Sequence, residues 1–179
     1  MKMNFRLAIK HFSHIITEGS IIERLKREFH YPLDNALANA LMIYDEKGKE
    51  LLESIYREYI DIAESSDIPI MLLTPTWRAN KERTKKANID MKEINTDAFL
   101  FVDKIRKSYG GFSEKIFIGG LTGCKGDAYK PEEALSENEA YDFHKEQMQI
   151  LANAAVDFLF ASTLPALTEA IGIAKAMSE

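Results

Sequence analysis

Two carboxyl groups in this chain stand where a parallel α/β fold presents side chains to a substrate. Glu18 comes directly after the short apolar run 14–17, and Asp127 follows the apolar run 116–118 and a glycine-rich stretch. A carboxyl pair at such positions could act as general acid and general base, or it could bind a polar substrate. Capping of a neighbouring helix is the alternative role for each residue.

A second group of candidate residues follows the apolar run 70–74. Thr74, Thr76 and Trp77 lie where that run ends, so that two hydroxyl groups and an aromatic ring could line a pocket there. A core position would explain Trp77 equally well. Thr163 follows the last apolar run of the chain and is interpreted as a helix cap.

The glycine-rich stretch 119–126 matches neither the dinucleotide fingerprint nor the phosphate-binding loop. Its glycines predict a turn with positive φ angles, or a backbone that approaches a ligand closely. Within it, Cys124 stands beside Lys125, which would lower the pKa of the thiol if the two were close, but no histidine partner is identifiable. The four histidines of the chain lack the ligand number that a zinc site needs, so no metal ligand is predicted.

Apolar runs alternate with helical patterns and predict the elements that would position these residues. The runs 14–17, 70–74, 116–118 and 156–161 predict strands, and a segment of helical periodicity follows each of them. Such units predict an α/β fold of the (β/α) TIM-barrel type with about four units, a half barrel, since a complete barrel takes ~250 residues. No linker divides the chain, so residues 1–179 are predicted to form a single domain.

Several details of the helices follow from the same patterns. Ser136 and Glu139 match a capping box that starts a helix near Glu137. A short buried helix is predicted within 36–44, and the charge run 78–86 is interpreted as solvated surface. The inward faces of the second and last long helices are predicted to comprise Leu52, Ile55, Tyr56, Tyr59, Ile62 and Ala63, and Leu167, Ala170, Ile171, Ala174 and Met177.

Composition excludes several classes of function. A net charge of −5 provides no electrostatic footprint for nucleic acid, so small molecules or proteins are the expected partners. Residues 1–16 carry charged residues among the apolar ones, unlike a signal peptide, and no apolar window is long enough to span a membrane. The single cysteine, Cys124, excludes an internal disulfide and fits a reducing cytoplasm.

The fourth predicted strand, 156–161, would leave an open hydrophobic edge on the sheet. Such an edge is expected either to continue into further strands of a longer fold or to pair with another chain. The sequence therefore also predicts a possible homo-oligomer through this edge.

Four segments in order resemble the homocysteine S-methyltransferase family over nearly the whole chain. The first is Glu18-Gly19-Ser20, similar to the family's Asp-Gly motif, and the second is the loop 74–80, which ends at Asn80. The third is the loop 120–127, with Gly123 and Asp127. The fourth is the segment 162–165, with Thr163 before Pro165.

The resemblance implies a (β/α)8 barrel in which three cysteines hold a zinc ion. Zinc makes the homocysteine sulfur a thiolate, and the thiolate takes a methyl group from a sulfonium, a betaine-type ammonium or a methylated cofactor to give methionine. The partners implied are a small-molecule thiol and a methyl donor. The residues that the resemblance marks for substrate binding are Glu18, Gly19, Thr74, Thr76, Trp77, Asn80, Gly123, Asp127 and Thr163.

Two departures from the family pattern shape the functional expectation. Ser162 replaces the glutamate that holds the substrate ammonium in the family, and the chain contains one cysteine where the zinc site needs three. We therefore expect the amino-terminal half of such a barrel, with no zinc site and no methyl transfer by this chain alone. The alternatives are a non-catalytic half barrel that binds itself or a partner, and a different barrel enzyme that uses Glu18 and Asp127 as acid and base.

Overall fold

A computed structural model describes residues 3–179, and Lys2, one of the charges that argue against a signal peptide, lies outside this range. The described residues contain a sheet of four strands in the order β1-β2-β3-β4, and every neighbouring pair is parallel. The strands are β1 (Ile16–Thr17), β2 (Ile70–Leu73), β3 (Ile116–Thr122) and β4 (Phe158–Ala161). Each predicted apolar run therefore contains or overlaps a strand, and the α/β fold with a parallel sheet is confirmed.

Helices lie between successive strands, as the alternating pattern predicts, and one further helix lies at each end of the chain. They are α1 (Phe5–His11), α2 (Ile21–Arg27), α3 (Glu46–Ser65), α4 (Lys81–Lys86), α5 (Met91–Lys107), α6 (Glu137–Asn153) and α7 (Leu167–Met177). The buried helix predicted within 36–44 is a shorter 3-10 segment, Ala40–Tyr44. Part of the run interpreted as solvated surface forms α4, in which Thr84 is buried.

Short polar side chains start the long helices. Asp45 and Asp90 accept hydrogen bonds from backbone amides in the first turns of α3 and α5. The predicted capping box is present, because Ser136 accepts from the amide of Glu139 and the Glu139 carboxylate accepts from the amide of Ser136. These caps satisfy amide groups that would otherwise lack partners, and they fix where each helix begins.

The core lies between the long helices and one face of the sheet. Ile70, Leu72, Ile116 and Ile118 point to that face and pack with buried residues of α3 and α5. On the other face, Phe5 of α1 stacks on Phe158, with ring centroids 4.1 Å apart. Helix α1, which the apolar pattern did not predict, thus covers part of the face that the other helices leave open.

The predicted turn that begins at Gly119 is wrong. Strand β3 continues to Thr122, so Gly119 and Gly120 are strand residues. A Cβ atom on Gly119 would overlap the ring of Phe158 and lie 2.8 Å from Leu73 Cδ2. Among the described glycines only Gly110 has a positive φ angle, so close packing, rather than turn geometry, requires glycine in β3.

Two predicted helix faces also need correction. Ile62 of α3 is exposed, and α7 buries Glu169, Gly172, Ile173 and Ala176 instead of the predicted apolar face. Close contact with α6 explains the difference, since a Cβ atom on Gly172 would lie 2.9 Å from the amide nitrogen of Tyr141. The face predicted to be buried remains partly open to solvent, and Leu167 is 74% exposed.

The helices of residues 3–179 are amphipathic or short. None of them combines the length and the apolar composition that a membrane crossing requires.

Candidate functional site

A cavity of about 440 Å³ lies at the carboxyl ends of the strands. Residues that follow all four strands contribute to its wall, as expected for the ligand-binding end of a parallel sheet. Those residues are Glu18 and Ser20 after β1, Leu73, Thr74, Pro75, Trp77 and Arg78 at the end of β2, Leu121 and Tyr129 from β3 and its loop, and Ser162 and Thr163 after β4.

Glu18 lies against the buried end of β2. Its Oε2 atom accepts a hydrogen bond of 3.1 Å from the amide of Leu73, whose carbonyl accepts a 2.6 Å hydrogen bond from the Tyr56 hydroxyl. Burial raises the pKa of the Glu18 carboxyl to about 8, although the residue as a whole keeps some contact with solvent. Glu18 is therefore mainly protonated at neutral pH, and its carboxyl group can donate a hydrogen bond into the cavity.

Thr74 and Thr76 join the ends of β2 and β3. Their hydroxyl oxygens are 2.7 Å apart, the Thr74 oxygen accepts from the amide of Leu121, and the Thr76 hydroxyl donates to the Leu121 carbonyl at 2.6 Å. Both residues are completely buried, but only Thr74 lines the cavity. Thr76 contacts two residues of the cavity wall, Thr74 and Leu121, without reaching the cavity itself.

Trp77 forms a wall between the second and fourth strands. Its indole Nε1 lies 3.4 Å from the carbonyl oxygen of Ser162, and the guanidinium of Arg78 lies over the indole ring at 4.8 Å. A Cβ atom on Gly123 would overlap the indole and lie 2.8 Å from the Trp77 carbonyl oxygen. Gly123 therefore acts on the site by leaving room for Trp77.

Gly19 and Asn80 lie outside the cavity wall. The Gly19 carbonyl accepts a 2.7 Å hydrogen bond from Tyr59. Asn80 is buried and caps α4 by accepting from the amide of Arg83 at 3.1 Å, while its own Nδ2 has no partner among the described residues. These hydrogen bonds fix the backbone of the loops that follow β1 and β2, and residues of these two loops line the cavity.

Asp127 and Thr163 differ from their sequence interpretations. Asp127 closes a turn by accepting from the amide of Tyr129 at 3.0 Å, and it does not line the cavity that Glu18 lines. The proposed acid–base pair is therefore not brought together there. Thr163 does line the cavity, but it does not cap α7, whose N-cap residue is Ala166. Its φ angle of 57° is uncommon for a β-branched residue.

A buried histidine–glutamate pair, which no sequence pattern indicated, holds the loop that follows β3. His144, one of the four histidines, lies 3.1 Å from Glu169, and neither side chain is exposed. Glu169 also accepts from the amides of Lys125 and Leu135, which ties α7 to both ends of the loop before α6. Burial alone would raise the pKa of Glu169, but these hydrogen bonds outweigh it and lower the pKa.

Cys124 lies in the same loop and has the character of a core residue. It is 5% exposed, and its Sγ atom lies 3.4 Å from the Gly126 carbonyl. Burial and the negative charge of Glu169 raise the pKa of the thiol. Little thiolate is present at neutral pH, which argues against a nucleophilic role.

The amino-acid sequence matches known proteins. The family model described as homocysteine S-methyltransferase matches residues 15–179. Homocysteine S-methyltransferase YbgG of Bacillus subtilis (strain 168) is 39% identical, and the match covers 92% of this chain but 55% of that protein.

Solved structures agree on the fold. The homocysteine methyltransferase MmuM from Escherichia coli aligns with a TM-score of 0.76 in its metallated form and 0.78 in its oxidized form, at 18% and 17% identity. These alignments cover 97% of this chain and 62% and 61% of those chains. The chain thus spans little more than half the length of the proteins it matches. Since the family model covers almost the whole sequence, the chain belongs to the homocysteine S-methyltransferase family.

Proposed function

We propose that this chain forms the substrate-binding half of a (β/α)8 barrel of the homocysteine S-methyltransferase type. The observation that carries the proposal is the cavity at the carboxyl ends of four sequential parallel strands, lined by residues from the four segments that resemble the family. The proposed substrate is a small thiol that accepts a methyl group. A doubly wound sheet would reverse strand order at some point, whereas this sheet keeps chain order throughout, as one side of a barrel does.

The residues marked by the resemblance divide into two proposed roles, one for those that line the cavity and one for those that lie outside it. Glu18, Thr74, Trp77 and Thr163 line the space and are proposed to contact the substrate. The protonated Glu18 carboxyl would donate a hydrogen bond to a polar atom of the substrate. Gly19, Thr76, Asn80, Gly123 and Asp127 are proposed to act by positioning the loops that carry these contacts.

A zinc ion held by three cysteines does not fit the residues of this chain. Cys124 is the single cysteine, its sulfur is buried beside the Gly126 carbonyl, and its raised pKa favours the thiol, whereas zinc binds thiolates. Groups of three or more potential ligand residues are likewise absent from residues 3–179. The thiolate-forming part of the reaction therefore has no donor set here, and the proposed role of this chain is to bind and orient the thiol.

A methyl-transfer assay tests this role. The purified 179-residue chain, verified by mass, is incubated with homocysteine, a sulfonium methyl donor and zinc, and methionine is measured by mass spectrometry. We expect no methionine above the level of a protein-free control, because one cysteine cannot form the three-thiolate site. Turnover by this chain above the control would contradict the proposal, and the Cys124→Ala variant would show whether the turnover depends on the single thiol.

Self-association through the open side of the sheet is a second candidate function, which specific surface features favour. Among residues 3–179, strand β4 pairs only with β3. Phe160 in this strand is 38% exposed, and Leu167 on the neighbouring helix is 74% exposed. Exposed strand edges of this kind pair readily with other chains. Size-exclusion chromatography with light scattering decides the point, since a clean monomer at high concentration would exclude edge pairing as the function.

A further inference from the structure

Arg78 is a half-buried cation at the cavity that lacks an anionic partner. Its guanidinium stacks on the indole of Trp77 at 4.8 Å, and it forms neither an ion pair nor a hydrogen bond with any residue from 3 to 179. The Arg78 charge also acts on Arg83. Burial is the main reason that the pKa of Arg83 is lowered, and repulsion by the Arg78 charge lowers it further. A positive potential is therefore left uncompensated at the cavity wall.

The other charged groups around the cavity do not neutralise Arg78. Lys26 and Glu23 lie 3.5 Å apart at the rim, and Glu23 also accepts a hydrogen bond of 3.0 Å from Arg27. Glu18 is mainly protonated at neutral pH because of its raised pKa. Within the described part of the chain, the cavity thus offers one cation without a partner and no carboxylate free to receive a cation.

The cavity wall after β4 carries no charge. Ser162 lines the cavity and its carbonyl faces the Trp77 indole nitrogen, while its side chain carries a hydroxyl group and no charge. A ligand ammonium group would lose its hydration here without gaining a carboxylate partner. A ligand carboxylate, in contrast, could reach the guanidinium of Arg78.

We propose that Arg78, held flat by Trp77, binds the carboxylate of the substrate, and that the cavity accepts small thiol acids whether or not they carry an ammonium group. The proposal names the substrate class of the site and rests on the proposed function for the assignment of the cavity to the thiol substrate. Stacking fixes one face of the guanidinium and leaves its edge, with paired N–H donors, for a carboxylate. Lysine cannot reproduce that planar pair of donors.

Trp77 provides a direct reporter, because it is the only tryptophan in the sequence. The ¹⁵N-labelled chain is titrated with 4-mercaptobutyrate, which is homocysteine without its ammonium group, and with 3-mercaptopropylamine, which is homocysteine without its carboxylate. Both titrations follow the indole N–H resonance. The same titrations are run on Arg78→Gln, on Arg78→Lys and on Arg6→Gln, a matched control on the exposed surface of α1.

We expect the acid to bind at least about tenfold more tightly than the amine, as the loss of a charge-assisted hydrogen bond implies. Arg78→Gln should remove that preference and Arg78→Lys should restore it in part, while Arg6→Gln leaves it unchanged. Equal binding of acid and amine, or an unchanged preference in Arg78→Gln with a preserved amide spectrum, would overturn the proposal. These titrations need neither zinc nor a methyl donor, so their outcome is separate from that of the methyl-transfer assay.

Discussion

Replacement of Glu169 by alanine is expected to lower the free energy of unfolding by about 3–5 kcal/mol, the usual cost of removing one member of a buried charged network. The Glu169 carboxylate accepts from the amides of Lys125 and Leu135 and lies beside His144. Without it, two half-buried amides and the buried His144 ring would lose this partner, and Nδ1 of His144 already has no hydrogen-bond partner among the described residues. Denaturant unfolding measures the loss directly.

The matched variant Glu169→Gln keeps the shape of the side chain and removes its charge. It should also lower the free energy of unfolding. The difference in this free energy between the unaltered protein and the variant should become smaller at acid pH. The pKa of Glu169 is lower in the folded protein than in the unfolded chain. The charged carboxylate therefore stabilises the fold above the ordinary carboxyl pKa, and this stabilisation is lost as the pH falls through the pKa of the folded state. Glu132→Gln, at an exposed position of the same loop, should change stability little.

Hydrogen exchange separates this network from a general loss of packing. The amides of Lys125 and Leu135 should lose protection in Glu169→Gln, because both depend on its carboxylate, whereas the amide of Ile118 in the sheet should keep its protection. Unchanged protection at both loop amides, together with unchanged stability, would show that Glu169 does not hold this loop.

Replacement of Glu18 by glutamine is expected to remove a pH dependence of stability. The folded-state pKa of Glu18 is about 8, above the ordinary value, so the folded protein binds more protons than the unfolded chain between about pH 4.5 and pH 8. The stability of the unaltered protein should therefore fall as pH rises through this window. Glu18→Gln mimics the protonated form and lacks the effect.

The expected size of this effect is about 2–4 kcal/mol, after an allowance for the partial exposure of Glu18. The two proteins should be similarly stable at pH 5, and the glutamine variant should be the more stable at pH 9. Urea unfolding at both pH values measures the difference. A ¹³C titration of the Glu18 carboxyl carbon with a midpoint near the ordinary glutamate pKa would contradict the argument.

Local patterns predicted the strand positions and the start of α6 because each depends on residues close in sequence. An apolar run marks a buried strand wherever it occurs, and Ser136 and Glu139 cap a helix through contacts three residues apart. The rule that parallel strands present ligands at their carboxyl ends also predicted that Glu18, Thr74 and Trp77 lie at one end of the sheet, where they line the cavity. Thr163 lines it too, but the pattern indicated a helix cap there, and only the family resemblance marked it for the site.

The missed features depend on partners that are distant in sequence. Glu169 is separated by 44 residues from Lys125 and by 25 from His144, so nothing in its own helix reveals that it is buried. Position 119 of β3 requires glycine because Phe158 of the next strand fills the space that a side chain would need. The buried face of α7 is likewise decided by the approach of α6 at Gly172.

An amide and indole NMR map of the ¹⁵N-labelled chain, titrated with homocysteine, decides whether the cavity binds the thiol. If the cavity at the strand ends is the substrate site, the Trp77 indole and the amides of Leu73, Leu121 and Ser162 should show the largest saturable shifts. Saturable shifts confined to other surfaces, with these four signals unmoved, would show that the thiol binds elsewhere.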